Sequence, residues 1–201
     1  MAIVSRGFGG RRRQETPGRL PPGQHDAGST FPVLSAGPTP HTPLDRWDLT
    51  VQGLVDEVRR WTWAELQALP REEVTVDIHC VTSWSKLDTR WSGFSVDTLL
   101  ADVRTTAEHA VAFSDGGYTT NLPLADLTGG KAWVVDTYGG APLTPEHGGP
   151  ARLLVPHLYL WKSAKWLRGI TLTAQDEPGF WETFGYHDRG DPWREQRYAG
   201  D

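Results

Sequence analysis

Glycine and proline, twenty-two and fifteen of them in 201 residues, cut this chain into short segments and leave no room for a long helical bundle. What lies between the breaks alternates. Trp47, Leu49 and Val51 are spaced by polar residues up to Gly53, and Val74, Val76, Ile78 and Cys80 are spaced by Thr75, Asp77 and His79. Each run predicts a half-buried strand. In the second, Cys80 falls on the apolar face at the strand's end, where the chain opens into a loop. Further strands are expected over 109–114, reversing at Asp115-Gly116-Gly117, and over 131–138, 152–156 and 169–173.

Helices are expected to be short. Thr62 and Glu65 have the spacing of a capping box, with Pro70 as the stop, and 95–103 reads as a second helix. Pro123 to Leu127 suits a single turn. Ten tryptophans supply large anchors for such a loop-rich chain. The expected class is α+β, with mixed β-sheets and short helices. Residues 1–30, rich in Arg, Gly and Pro, read as an extended arm. Residues 31–201 read as a single domain closed by an aromatic tail, 175–201. Phe31, Val33 and Leu34 offer a small apolar patch by which the arm reaches the core.

A net charge of −5 argues against nucleic acid as a partner, and no apolar run approaches the ~18 residues of a membrane span. The Arg-rich start MAIVSRGFGGRRR is followed by polar sequence instead of an apolar segment, so a cytoplasmic location is expected. The Rossmann glycine pattern, H-E-x-x-H and G-x-S-x-G do not occur. Around Lys131 the phosphate-loop pattern fails at Ala125 and Ala132.

Two clusters carry candidate chemistry. The lone Cys80 lies in DIHCVTSWS. By composition it is a small buried hydrophobe, yet a thiolate at a strand end beside a polar loop also serves as a nucleophile or a soft-metal ligand. Only four lysines stand against sixteen arginines, and two of the four, Lys162 and Lys165, flank Ser163 in WKSAKW. With Arg152, which follows the turn HGGP, they form either a solvated face or a site for one anionic group. The residues alone leave three readings open: a redox site, a cysteine-dependent hydrolase or transferase using Cys80, and a non-catalytic aromatic-rich binding module.

The blocks C-V-T-x-W-S, W-x-G-F-x-x-x-x-L-L, G-G-P-x-R-L-x-V-P and Y-x-W-K-S-x-K-W, in that order, resemble the molybdopterin domain of the sulfite oxidase superfamily. The ending G-F-W-E-x-x-G-Y-H-x-x-G-D-P-W is similar to that of its small single-domain members in bacteria and archaea, described as sulfite-oxidase-like oxidoreductases. The resemblance implies the sulfite-oxidase-type fold and a molybdenum–molybdopterin cofactor with Cys80 as its protein thiolate. It also implies pterin and phosphate contacts from His147, Arg152, Lys162, Ser163 and Lys165, with Ser114 placed by its distance after Cys80. Leu34 and Ser35 align with a cofactor-contacting segment but lack its side chains, so their contacts would come from backbone. The reaction implied is two-electron oxo transfer on a small donor or acceptor (sulfite, sulfoxide or similar), with a separate electron-transfer partner. The loop after Cys80 offers only Lys86 and Arg90 to an anionic substrate. His79, Tyr138, His147 and His157 are candidates for proton delivery or for structural hydrogen bonds.

Overall fold

Strand β2 (Asp48–Gly53) buries Leu49 and Val51 and leaves Asp48, Thr50 and Gln52 half-buried, as its alternation requires. The structure, a computed structural model, describes residues 18–201, and the Arg-rich opening 1–17 lies outside the described residues. The remaining elements are β1 (His25–Asp26), β3 (Arg59–Thr62), α1 (Trp63–Gln67), β4 (Glu72–His79), β5 (Trp84–Ser95), α2 (Val96–Leu100), β6 (His109–Ser114), β7 (Thr119–Pro123), β8 (Trp133–Tyr138), β9 (Ala141–Pro142), β10 (Arg152–Leu154), β11 (Leu167–Thr173) and α3 (Phe180–Thr183). The α+β class with mixed sheets and short helices is what the chain forms.

One sheet runs β1-β5-β8-β10, with β4 on β5 and β9 on β8; the other runs β3-β2-β11-β6-β7. The main core lies between them, joining Trp47, just before β2, and Leu49 and Ile170 of the second sheet to Phe94, Val134 and Leu153 of the first. Ile78, Cys80, Trp84, Trp91 and Trp133 form a separate cluster. Helix α1 begins with both halves of the expected box: Glu65 N–H donates to the Thr62 hydroxyl at 3.4 Å, and Thr62 N–H donates to the Glu65 carboxylate at 2.8 Å. Helix α2 is capped by Ser95 and stops at Leu100, short of the expected 103.

The stretch after Cys80, expected as a loop, is instead the long strand β5. Its apolar alternation is hidden because Ser85, Lys86, Thr89, Ser92 and Ser95 are buried in it. Each is satisfied locally: Lys86 Nζ donates to the Gly28 carbonyl at 2.7 Å, Arg71 Nη1 donates to Ser92 Oγ at 3.0 Å, and the Thr89 hydroxyl donates to the Val76 carbonyl. Strand β7 was equally unreadable, because its buried Thr120 and Asn121 are partnered by Glu182 and Asp176 of the tail.

Residues 18–30, expected as extended, are a string of turns around the two-residue strand β1, with Gly18, Gly23 and Gly28 at positive φ, and they are fastened to the first sheet. Strand β1 pairs in parallel with the start of β5, and Arg19 joins Asp77 of β4 to Asp88 of β5. The tail is ordered too. Glu182 of α3 meets Lys162 at 2.6 Å, with both side chains wholly buried.

Candidate functional site

Strands β4 and β5 form a tight hairpin whose three-residue turn, Val81 to Ser83, carries Cys80 at its entrance. Ser83 N–H donates to the Cys80 carbonyl at 3.1 Å, and Cys80 N–H donates to Trp84 at 2.8 Å. Ser83 takes φ +68°, the left-handed residue that such a loop needs before its second strand. Cys80 is 6% exposed, and its Sγ lies 3.1 Å from the Thr82 hydroxyl.

That thiol lines a cavity of about 620 Å³. The segment that follows the arm contributes Leu34 and Ser35 to its wall, the turn after β9 contributes His147, and the start of β10 contributes Arg152. Ser163 and Lys165 enter from the segment before β11, and Trp181 and Tyr186 from the tail. Seven of the nine expected site residues are thus brought together: Cys80, Leu34, Ser35, His147, Arg152, Ser163 and Lys165.

The cavity's charge is unbalanced. Arg152 is 2% exposed and donates to three backbone carbonyls, those of His147 (3.0 Å), Ser163 (2.8 Å) and Leu153 (3.4 Å). Lys165 Nζ likewise donates to the carbonyls of Leu34 (2.7 Å) and Glu146 (2.8 Å). Among the described residues neither cation has a carboxylate at ion-pair distance. Burial pushes Arg152 down to about 10, and burial together with the Arg152 charge pushes Lys165 down to about 8. Two uncompensated positive charges facing a cavity are the electrostatic form of an anion site.

The Ser163 hydroxyl accepts the Val155 N–H at 2.8 Å, leaving its own proton to donate. His147 stacks on Phe31 at 4.2 Å, and its ring nitrogens face the Thr144 hydroxyl and the Phe31 carbonyl. Burial lowers its pKa. The glycines of HGGP allow a close approach within the protein itself. A Cβ on Gly148, at φ +103°, would stand 2.9 Å from Lys165 Cβ, and one on Gly149 would stand 2.4 Å from the Leu143 carbonyl oxygen. The first of these contacts seats Lys165 against the His147 turn.

Two expected residues fall outside the cavity wall. Lys162 follows the single turn at Leu160 and points inward, where its ammonium meets Glu182 and donates to the Asn121 carbonyl and side-chain oxygen. Ser114 sits just behind the Asp115–Tyr118 wall, and its Oγ is buried with no hydrogen-bond partner. Of the proton-delivery candidates only His147 lines the cavity. His79 Nδ1 faces Ser85 Oγ at 2.7 Å, His157 faces Asp126, and Tyr138 packs on Trp91. Lys86 and Arg90 also lie off the wall. Thr82 and Tyr118 are wall residues that the sequence reading missed; the threonine's position two after Cys80, inside a hairpin turn, was the available signal.

No group of three His, Cys, Asp or Glu side chains stands ready for a metal among the described residues, so a metal bound at Cys80 would bring other ligands with it. A soft sulfur and two carboxylate-free cations on one cavity wall, with the orphaned Ser114 hydroxyl just behind it, fit a metal carried by an anionic organic cofactor. Residues 36–181 match the family described as the oxidoreductase molybdopterin binding domain. The chain belongs to that family.

Relatives of the molybdopterin-binding family span its range. The uncharacterized oxidoreductase YuiH of Bacillus subtilis (strain 168) is 45% identical over 96% of this chain and 99% of its own length. The putative protein-methionine-sulfoxide reductase subunit YedZ1 of Azospira oryzae is 29% identical over 69% of the chain, and the sulfite oxidase of Arabidopsis thaliana 27% over 72%. The chain spans 53% and 46% of those two proteins. The solved structure of the sulfane dehydrogenase SoxCD from Paracoccus pantotrophus matches 69% of the chain, and 41% of that chain, with a TM-score of 0.62 at 19% identity. The two-sheet fold is therefore that of a sulfite-oxidase-type molybdopterin domain.

Proposed function

We propose that this molybdopterin-family oxidoreductase carries out two-electron oxo transfer on a small substrate, with Cys80 as the protein thiolate on molybdenum. The observation that carries the reading is the pair of carboxylate-free cations, Arg152 and Lys165, on the same cavity wall as the chain's single thiol. They suit the phosphate of a pterin, with Ser163, Ser114 and the backbone at Leu34 and Ser35 as uncharged partners and His147 at the rim. Lys162 acts behind them, on Glu182. The bound cofactor would supply the oxo-transfer and electron chemistry.

The protein's own part is orientation and exclusion. The hairpin turn holds Cys80, and Trp181, Tyr186 and Tyr118 provide an aromatic wall through which substrate reaches it. Among the described residues the cavity wall carries no lysine or arginine besides Arg152 and Lys165, while Lys86 is held by Gly28. This favours a neutral, sulfoxide-type oxo donor over sulfite. Electrons are exchanged with a separate redox partner, and the proposed compartment is the cytoplasm. No described helix is long and apolar enough to cross a membrane. A cysteine hydrolase is disfavoured, since the imidazole next in sequence, His79, is bonded to Ser85, and among the described residues the thiol's hydrogen-bond partner is the Thr82 hydroxyl.

The test is metal and pterin analysis of the protein purified from a host that makes molybdopterin, followed by turnover with sulfoxides and with sulfite. Stoichiometric molybdenum and pterin with sulfoxide reduction support the reading. Protein lacking both, purified beside a control molybdoenzyme that contains them, contradicts it.

A further inference from the structure

The arm and the tail both reach the backbone carbonyls of the turn that carries Cys80. Gln24 Nε2, from the arm, donates to the Cys80 carbonyl at 3.1 Å. His25 N–H donates to the Ser83 carbonyl at 2.9 Å. From the tail, Arg197 Nη1 donates to the Val81 carbonyl at 2.6 Å. Arm and tail also meet each other there: a Cβ on Gly23 would lie 3.1 Å from Glu195 Oε1 and 3.4 Å from Arg197 Nη2. None of Gln24, His25 and Arg197 lines the cavity.

We infer that Gln24 and Arg197 are positioning residues, a clasp from the two chain ends that sets the place and orientation of the Cys80 thiolate; this rests on the reading of Cys80 as the metal's ligand. A three-residue turn with a left-handed serine has little of its own to hold it, because a non-glycine residue at positive φ is disfavoured locally. The carbonyls of residues 80, 81 and 83 are each capped from outside the hairpin. Gln24 reaches further: its Oε1 accepts the Ser85 hydroxyl at 3.2 Å, so one amide side chain spans both strands at the mouth of the turn. That hydroxyl proton being given to Gln24, the 2.7 Å contact between Ser85 Oγ and His79 Nδ1 is made with a proton on Nδ1. The ring beside the ligand is thus held in one tautomer by the same residue. Arg197 is a charged donor to a carbonyl, the stronger kind of hydrogen bond, and its guanidinium lies over the Tyr159 ring at 5.2 Å.

The experiment compares Gln24→Leu, Arg197→Met, their double variant and Arg197→Lys in the full chain. Two readouts are taken: amide hydrogen exchange of the 80–85 segment in cofactor-free protein, and the sulfur-to-metal absorption band of the molybdenum-loaded protein. Each single loss should speed exchange of that segment about fivefold or more, as expected for one hydrogen bond removed. The band should shift and kcat fall with KM little changed, while Arg197→Lys restores most of both. If the single and double variants exchange at the parental rate and keep the parental band, the clasp is overturned. A Cys80→Ser protein that still shows the band is a different outcome, overturning the ligand reading instead.

Discussion

Arg152 Nη2 donates to the Ser163 carbonyl at 2.8 Å, and that bond ties the start of β10 to the segment carrying Lys165. Among the described residues the guanidinium thus meets neutral oxygens and the face of Trp91, and no carboxylate offsets its charge at the cavity. Arg152→Met and Lys165→Met should each reduce retention of the pterin cofactor by about tenfold or more, the equivalent of the roughly 1.5–3 kcal/mol of a charge-assisted contact. Cofactor content after gel filtration measures this. Full occupancy in the double variant would remove both residues from the cofactor site.

Lys165, held near 8 by burial and by Arg152, makes anion binding sensitive to alkaline pH. In cofactor-free protein, affinity for a simple phosphate monoester should be flat from about pH 7 to 8 and then fall by up to about tenfold per unit as the ammonium deprotonates, the ester's own second ionisation near 6 being complete. Calorimetric titration reads this directly. Lys165→Met should bind more weakly and lose the fall above pH 8; a parental profile in that variant contradicts the assignment.

Lys162 and Lys165 stand three residues apart in one motif of a lysine-poor chain, and sequence alone did not distinguish them. The single turn ending at Lys162 sends one ammonium into the protein and the other to the cavity wall. Strands β5 and β7 escaped the alternation rule for a related reason: their buried residues are hydroxyls, an amide and an ammonium whose partners lie in the arm, in β4 and the segment before it, and in the tail. Cys80 at a strand end, the capping box at Thr62 and the strands at 48–53 and 109–114 were legible because local pattern and burial agree there.

Breaking the Lys162–Glu182 pair should therefore act on folding. Lys162→Met or Glu182→Gln leaves a buried polar group without its partner and should cost about 3–5 kcal/mol in chemical denaturation. The double variant Lys162→Met with Glu182→Leu should recover most of that loss and still bind cofactor. Loss of cofactor in a double variant of parental stability would return Lys162 to the site.

Asp126 fastens the tail, meeting Arg189 at 3.1 Å and His157 at 3.1 Å. Burial alone would raise its pKa, but these hydrogen bonds and charges bring it from 3.8 down to about 2. A carboxyl depressed by folding stabilises the protein above its unfolded pKa, and that contribution is lost as pH falls from about 4 to about 2. Because Arg189 is 42% exposed, solvent screening reduces the expected loss to about 1 kcal/mol. Urea titrations across that range should show the slope, and Arg189→Ala should flatten it.

The central claim, a molybdenum bound by the chain's one thiol, is tested most directly by X-ray absorption at the molybdenum edge, comparing the parental protein with Cys80→Ser. Both should carry molybdenum and pterin, since Arg152, Lys165 and the rest of the wall remain. The variant should show one sulfur neighbour fewer at the metal and no turnover of oxo donors. An unchanged sulfur count in Cys80→Ser would contradict the account.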